Sequence, residues 1–220
     1  NISVGISSAL ENFIGGEGDT EVQIVTGEDY HPEFSIMTVR PLATHPGVDA
    51  WFVQLQLNDT KIRGKGRLST NIGVGYRKLS ESKNSFTGAN LFIDYDAEGN
   101  ARSSIGLEMR NAVLDFAFNN YFGLDDADGE KVLDGYDLRL ASQIPYLHWA
   151  DIFLNSYSWD GVKRNDVEGL IFGSEMNLTP NFQLELAYDD KDRAGLEDEY
   201  YVKLIFVHPP KEGPIASDGF

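Results

Sequence analysis

The chain has 220 residues, 41% hydrophobic and 12% aromatic, with no cysteine and a formal net charge of −17. No stretch approaches the ~20 apolar residues of a spanning helix, and disulfides and thiolate metal sites are excluded. Like charge repels a phosphate backbone, so nucleic acid is not an expected partner.

In chain order, residues 1–18 (NISVGISSALENFIGGEG) form an entry segment with one predicted short helix. Ser7 or Ser8 caps a run through Ala9, Leu10, Phe13 and Ile14, which Gly15 and Gly16 end. So short a helix must pack on something to persist. Residues 19–208 then read as twelve strands near the ~9–11 residues of a barrel strand. The predicted spans are 20–28, 33–42, 49–60, 67–79, 85–96, 101–112, 114–124, 133–144, 149–159, 166–179, 182–190 and 197–208. The Arg40-Pro41 step predicts an early end to the second. Residues 209–220 are a tail.

Side chains along a strand alternate between its faces. In 67–77, Leu68, Thr70, Ile72, Val74 and Tyr76 oppose Ser69, Asn71, Gly73, Gly75 and Arg77. In 88–95, Ala89, Leu91, Ile93 and Tyr95 oppose Gly88, Asn90, Phe92 and Asp94, and in 103–110 Ile105, Leu107 and Met109 oppose Ser104, Gly106, Glu108 and Arg110. The 182–189 and 199–206 segments repeat the pattern. A polar face of small residues beside charges is what a barrel lumen requires, and the apolar face is what lipid requires. The fold class read from this pattern is all-β: a twelve-stranded antiparallel transmembrane β-barrel with a short N-terminal helix. With Asn1 in the periplasm, the outer connectors are GEDYHPE, DTKIRGKG, DAEGN, DDADGEKV, DGVKRND and DKDRAGLED. They are longer on average and more charged than the inner ATHPGV, SESKN, the tight bend near Asn111, PYLH and TPN.

Several stretches carry a family likeness. NIGVGYRK followed by GANLFIDYDAEGNARSSIGLEMR resembles paired strands of the inverse autotransporter β-domain of intimins and invasins. NNYFGL, DGYDLRLASQIPYLHW and GSEMNLTPNFQLELAYDD are similar to its later segments, and SSALENFIGGEGDTEVQI to its entry. The resemblance covers most of residues 8–206. It implies a twelve-stranded outer-membrane barrel with a periplasmic N-terminus, whose chain leaves through the lumen toward a surface adhesin. Asp137 keeps the family's aspartate, whereas Asp134 stands where asparagine is usual. The segment VHPPKEGPIASDGF carries no immunoglobulin-like passenger, so the expectation is either a fragment or a barrel without one.

The candidate functional residues are the inward charges Arg77, Asp94, Glu108, Arg110, Asp137, Arg139, Glu175, Glu185 and Lys203. They would either line a conduit for an extended segment or pair into a network that stiffens a narrow barrel; mixed signs favour the network. Asp125, Asp126, Asp128 and Glu130 offer calcium-type oxygens without the full loop pattern, so solvated acidic side chains are expected. His31, beside Asp29, is the one histidine on the outer side, too little for a hydrolase. Tyr30, Trp51, Tyr76, Tyr95, Trp149, Trp159, Tyr188 and Phe206 lie near strand ends, as an interfacial girdle would. The reading is therefore non-enzymatic and without cofactor or metal: an anchor and conduit in the bacterial outer membrane. Its partners are outer-membrane lipid and a passenger segment or another envelope protein. The alternatives are a stand-alone structural subunit of an outer-membrane complex and a small diffusion channel.

Overall fold

The computed structural model describes residues 18–27, 32–62, 65–127, 131–161, 166–192 and 197–218. The expected N-terminal helix lies outside them. Twelve strands follow in order: β1 (Asp19–Gly27), β2 (Glu33–His45), β3 (Asp49–Ile62), β4 (Lys65–Leu79), β5 (Ser85–Asp96) and β6 (Ala101–Asn111). They continue as β7 (Leu114–Asp125), β8 (Gly135–Ile144), β9 (Leu147–Trp159), β10 (Val167–Asn177), β11 (Phe182–Asp192) and β12 (Glu199–His208). Each pairs antiparallel with its sequence neighbours, and β1 closes on β12 from Thr20–His208 to Gly27–Tyr201. Closure leaves no edge and satisfies the ladder internally, the condition for crossing lipid without a helix.

The two faces separate cleanly along most strands. Ile72, Leu91, Ile105, Ile152 and Phe172 point outward and are each about half exposed, at 50–53%. A continuous apolar outer wall is solvated by hydrocarbon and not by water. The opposite parity carries the charges, amides and most glycines described below.

An even strand number puts the start of β1 and the end of β12 at one rim, here called the near rim. Its connectors span two to five residues, against two to nine at the far rim. Near-rim turns use local side-chain acceptors: Asn111 Oδ1 accepts from the backbone N–H of Val113 and Leu114, both at 2.9 Å. Thr179 Oγ1 likewise accepts from Phe182 N–H at 3.0 Å. At the far rim, Asp96 Oδ1 accepts from the N–H of Glu98 and Asn100, and Gly99 between them takes φ +101°.

Two expected boundaries change. β2 does not stop at Arg40-Pro41 but runs to His45, because the register shifts between Pro41 and Ala43. That irregularity accommodates the missing proline donor and lets pairing resume. The expected 59–66 connector shrinks to residues 63–64, since β3 and β4 continue to Ile62 and from Lys65. Both faces of that hairpin are largely polar in sequence, so alternation gave no sign of it.

Candidate functional site: the charged lumen

Arg77 on β4 and Glu108 on β6 are separated by β5, yet they form a two-point pair at 2.7 and 3.0 Å. Gly88 of β5 stands opposite both, and any Cβ there would meet the Glu108 side chain. A glycine thus lets two charges join over an intervening strand. Phe52 and Phe86 flank the Arg77 guanidinium at 4.6 and 5.3 Å.

The other predicted residues join similar groups. Asp94 accepts from Arg102 Nε at 3.1 Å and from Asn71 Nδ2 at 2.6 Å. Arg102 in turn stacks on Tyr121 at 4.4 Å and on Trp159 at 5.1 Å. Asp137 accepts from the Tyr121 hydroxyl at 2.6 Å and from Asn119 at 3.1 Å. Arg139 lies 3.9 Å over the Phe153 ring and 3.4 Å from Glu175. Glu185, only 2% exposed, sits 3.0 Å from Lys203 Nζ and accepts from the Tyr201 hydroxyl at 2.9 Å. Arg110 is the exception in depth. It pairs with Asp115 at 2.6 Å at the near rim, with 62% of its side chain exposed.

Residues outside the predicted set complete the wall. Arg67 binds Asp96 at 3.1 Å, and Lys191 binds Glu199 at 2.9 Å. The Tyr157 hydroxyl donates to Asp189 at 3.0 Å. Arg102, Asp96, Asp189 and Lys191 continue the inward parity of Ser104, Asp94 and Glu185. That parity was a usable signal, obscured because these positions lie next to connectors. One row stands out: Glu175 is directly opposite both Glu185 and Asp151 in register. Like charges opposite one another repel, and Lys203 and Arg139 are the cations beside this row.

Space remains at both ends. A near vestibule of about 580 Å³ is lined by Glu108, Arg139, Asp151 and Glu175, together with Lys211 and Pro214 of the tail. A far vestibule of about 390 Å³ is lined by Asn58, Arg67, Asp94, Arg102 and Trp159, with Val132 and Leu133 of the β7–β8 connector.

The remaining candidates are placed as follows. Asp134 and Asp126 accept from the backbone N–H of Gly123 at 2.6 Å and Val132 at 2.8 Å. Residues 128–130, and with them Asp128 and Glu130, are outside the described residues, as are Tyr30 and His31. Among the described residues no group of three or more metal-ligating side chains is assembled. Trp51 packs on Tyr76 at 5.0 Å, and Tyr188 packs on Phe172 at 5.3 Å and Tyr200 at 4.6 Å, all on the outer face. Trp159 does not join them: it turns inward against Arg102. Asp198, just before β12, accepts from the Tyr188 hydroxyl at 2.8 Å and from Lys191 N–H at 3.2 Å. Those donors hold its carboxyl below the ordinary range.

A closed twelve-stranded barrel with an apolar exterior and a lumen of mutually paired charges defines an outer-membrane β-barrel. The chain belongs to the inverse autotransporter β-domain family, which it matches over residues 5–206. No curated protein matches the sequence. Among solved structures, a chain from a study of in-meso crystallization of membrane proteins is 20% identical with a TM-score of 0.74, covering 87% of this chain and 83% of that one. The KdgM porin is 9% identical with a TM-score of 0.58, covering 86% and 98%. The Salmonella typhi outer-membrane phospholipase is 10% identical with a TM-score of 0.52, covering 86% and 89%. At these identities the likeness is one of fold.

Proposed function

We propose that this barrel is an anchor and translocator whose near rim faces the periplasm and whose lumen passes the segment after β12 to the cell surface. The observation that supports the reading is the course of the chain beyond His208. Pro209 and Pro210 have no N–H to continue the ladder. Lys211 then donates its N–H to Pro180 O at 2.8 Å, in the β10–β11 turn. Its ammonium reaches Gln183 at 2.9 Å and lies 3.7 Å from Glu21, both inward-facing residues of β11 and β1. Glu212, Gly213 and Pro214 follow along the near vestibule. The tail therefore turns toward the bore instead of away from the barrel. An extended chain inside needs polar partners for its unpaired backbone groups, and the wall of amides, hydroxyls and paired charges supplies them. No bond is made or broken in this role.

The test is topological. An epitope appended after Phe220 should bind antibody on intact cells, while one placed ahead of Asn1 should bind only after the outer membrane is permeabilised. A C-terminal epitope that stays protected on intact cells carrying folded barrel refutes the proposal.

A further inference from the structure

Five inward-facing aromatic side chains share one arrangement: each stands directly opposite a glycine on the neighbouring strand. The pairs are Phe52 with Gly75, Phe92 with Gly73, Trp159 with Gly135, Tyr157 with Gly169 and Phe153 with Gly173. In each, a Cβ added at the glycine would fall inside the van der Waals envelope of the facing ring. The rings therefore lie down across the glycines, along the wall, in the space that side chains would otherwise fill. Three of them also carry an arginine: Arg77 over Phe52, Arg102 over Trp159 and Arg139 over Phe153. These are among the bulkiest inward groups of the barrel, and each is seated on the smallest possible neighbour.

We propose that these cross-strand glycine–aromatic pairs set the bore: the glycines are seats that hold the rings, and the arginines stacked on them, against the wall and out of the path of the translocating segment. This rests on the translocator reading and names the residues that determine what can pass, an extended polypeptide with small and polar side chains. The competing account is purely structural. A ring folded over a cross-strand glycine also shields the exposed backbone there and stabilises the sheet. The two accounts differ in what happens when the ring is displaced and then removed.

The positions are not equivalent as tests. At Gly73, Gly135 and Gly173 the added Cβ would also strike a backbone carbonyl (Leu91, Ser158 and Leu186 respectively), so substitution there strains the ladder itself. At Gly75 and Gly169 the nearest atoms all belong to the facing rings of Phe52 and Tyr157. There Gly75→Ala and Gly169→Ala push a ring off the wall and leave the backbone alone. Phe52→Ala and Tyr157→Ala then remove the displaced rings.

The experiment compares the full-length parent, Gly75→Ala, Gly169→Ala and the double variants Phe52→Ala/Gly75→Ala and Tyr157→Ala/Gly169→Ala. Each carries the epitope after Phe220. Folding is checked by heat-modifiable gel mobility, surface exposure by antibody on intact cells, and the bore by single-channel conductance in planar bilayers. The expected result is folded barrels in all five, a loss of surface exposure and lower conductance in the single variants, and recovery of both in the doubles. A structural shield predicts the reverse for the doubles, which lack the ring altogether and would fold least well. Single variants that display and conduct like the parent overturn the proposal, as do doubles that fail to recover. A parent that conducts without displaying the epitope, with conductance falling and recovering as described, refutes the translocator reading and keeps the seats. A parent that does neither overturns both.

Discussion

Replacing Lys203 by methionine isolates the charge pair that holds Glu185, the most buried charged residue among those described. Glu185 has a side chain only 3% exposed and Lys203 one only 22% exposed, at 3.0 Å separation. Methionine keeps the length and apolar stem of lysine but leaves the carboxylate without its cation, beside Glu175 directly opposite in the ladder. Removing one partner of a buried pair costs roughly 3–5 kcal/mol. The Tyr201 hydroxyl remains on the carboxylate at 2.9 Å and offsets part of that. The net loss should be about 2–3 kcal/mol. Glu185→Leu added to Lys203→Met removes the orphaned charge and should return the barrel to within about 1 kcal/mol of the parent. The assay is urea unfolding of refolded barrels in lipid, followed by tryptophan emission, with the slope checked for constancy. A loss below about 0.5 kcal/mol for Lys203→Met, as expected of a solvated surface pair, would refute the argument that this pair is desolvated. Strict additivity of the two substitutions would refute the claim that the residues act on each other.

Arg102→Lys keeps the charge facing Asp94 but loses the planar stack on Tyr121 and Trp159. It should cost roughly 1–2 kcal/mol and shift Trp159 emission, which spectra of a variant with Trp51 and Trp149 replaced by phenylalanine would report. Lys211→Ala removes the ammonium that reaches Gln183 and Glu21, and should make the 209–218 segment more readily cleaved by added protease in refolded barrels; unchanged cleavage would show that the backbone bond to Pro180 holds the tail unaided. Asp198 has a lowered folded-state pKa, so its contribution is complete above the ordinary carboxylate range and is lost as pH falls through the lowered value. Protection of the Lys191 amide in hydrogen exchange should fall over that acidic window, and Asp198→Asn should abolish the dependence.

Much of the barrel was legible because a strand with one face in lipid cannot hide its period. Ile72, Val74 and Tyr76 against Gly73, Gly75 and Arg77 fix a face without any knowledge of partners. The same period put the nine charges on one face of their strands, and Arg110 among them lies at the near rim with 62% of its side chain exposed. Partner choice was not legible. Arg77 meets Glu108 across an entire strand because Gly88 lies between them, and Arg139 meets Glu175 two strands away over the Phe153 ring, pairings that only register decides. Strand ends above the apolar band were misjudged where both faces are polar, as in the β3–β4 hairpin. Trp159 was assigned to the girdle by its position near a strand end, yet its parity with Tyr157 already placed it inside. The glycine seats lay in the sequence as well, but only register turns Gly75 and Phe52, far apart in the chain, into a pair.

The closure of β1 on β12 has a consequence for timing. Every other pairing joins strands adjacent in sequence, so eleven of the twelve seams can form as local hairpins while the chain arrives. The last seam joins Thr20 to His208, and its loop-closure cost is met only when nearly all of the domain is present. His208 is also the residue after which the chain turns toward the bore. The event that completes the wall is thus the event that brings the tail to the near vestibule, so wall and tail reach their places in a single step.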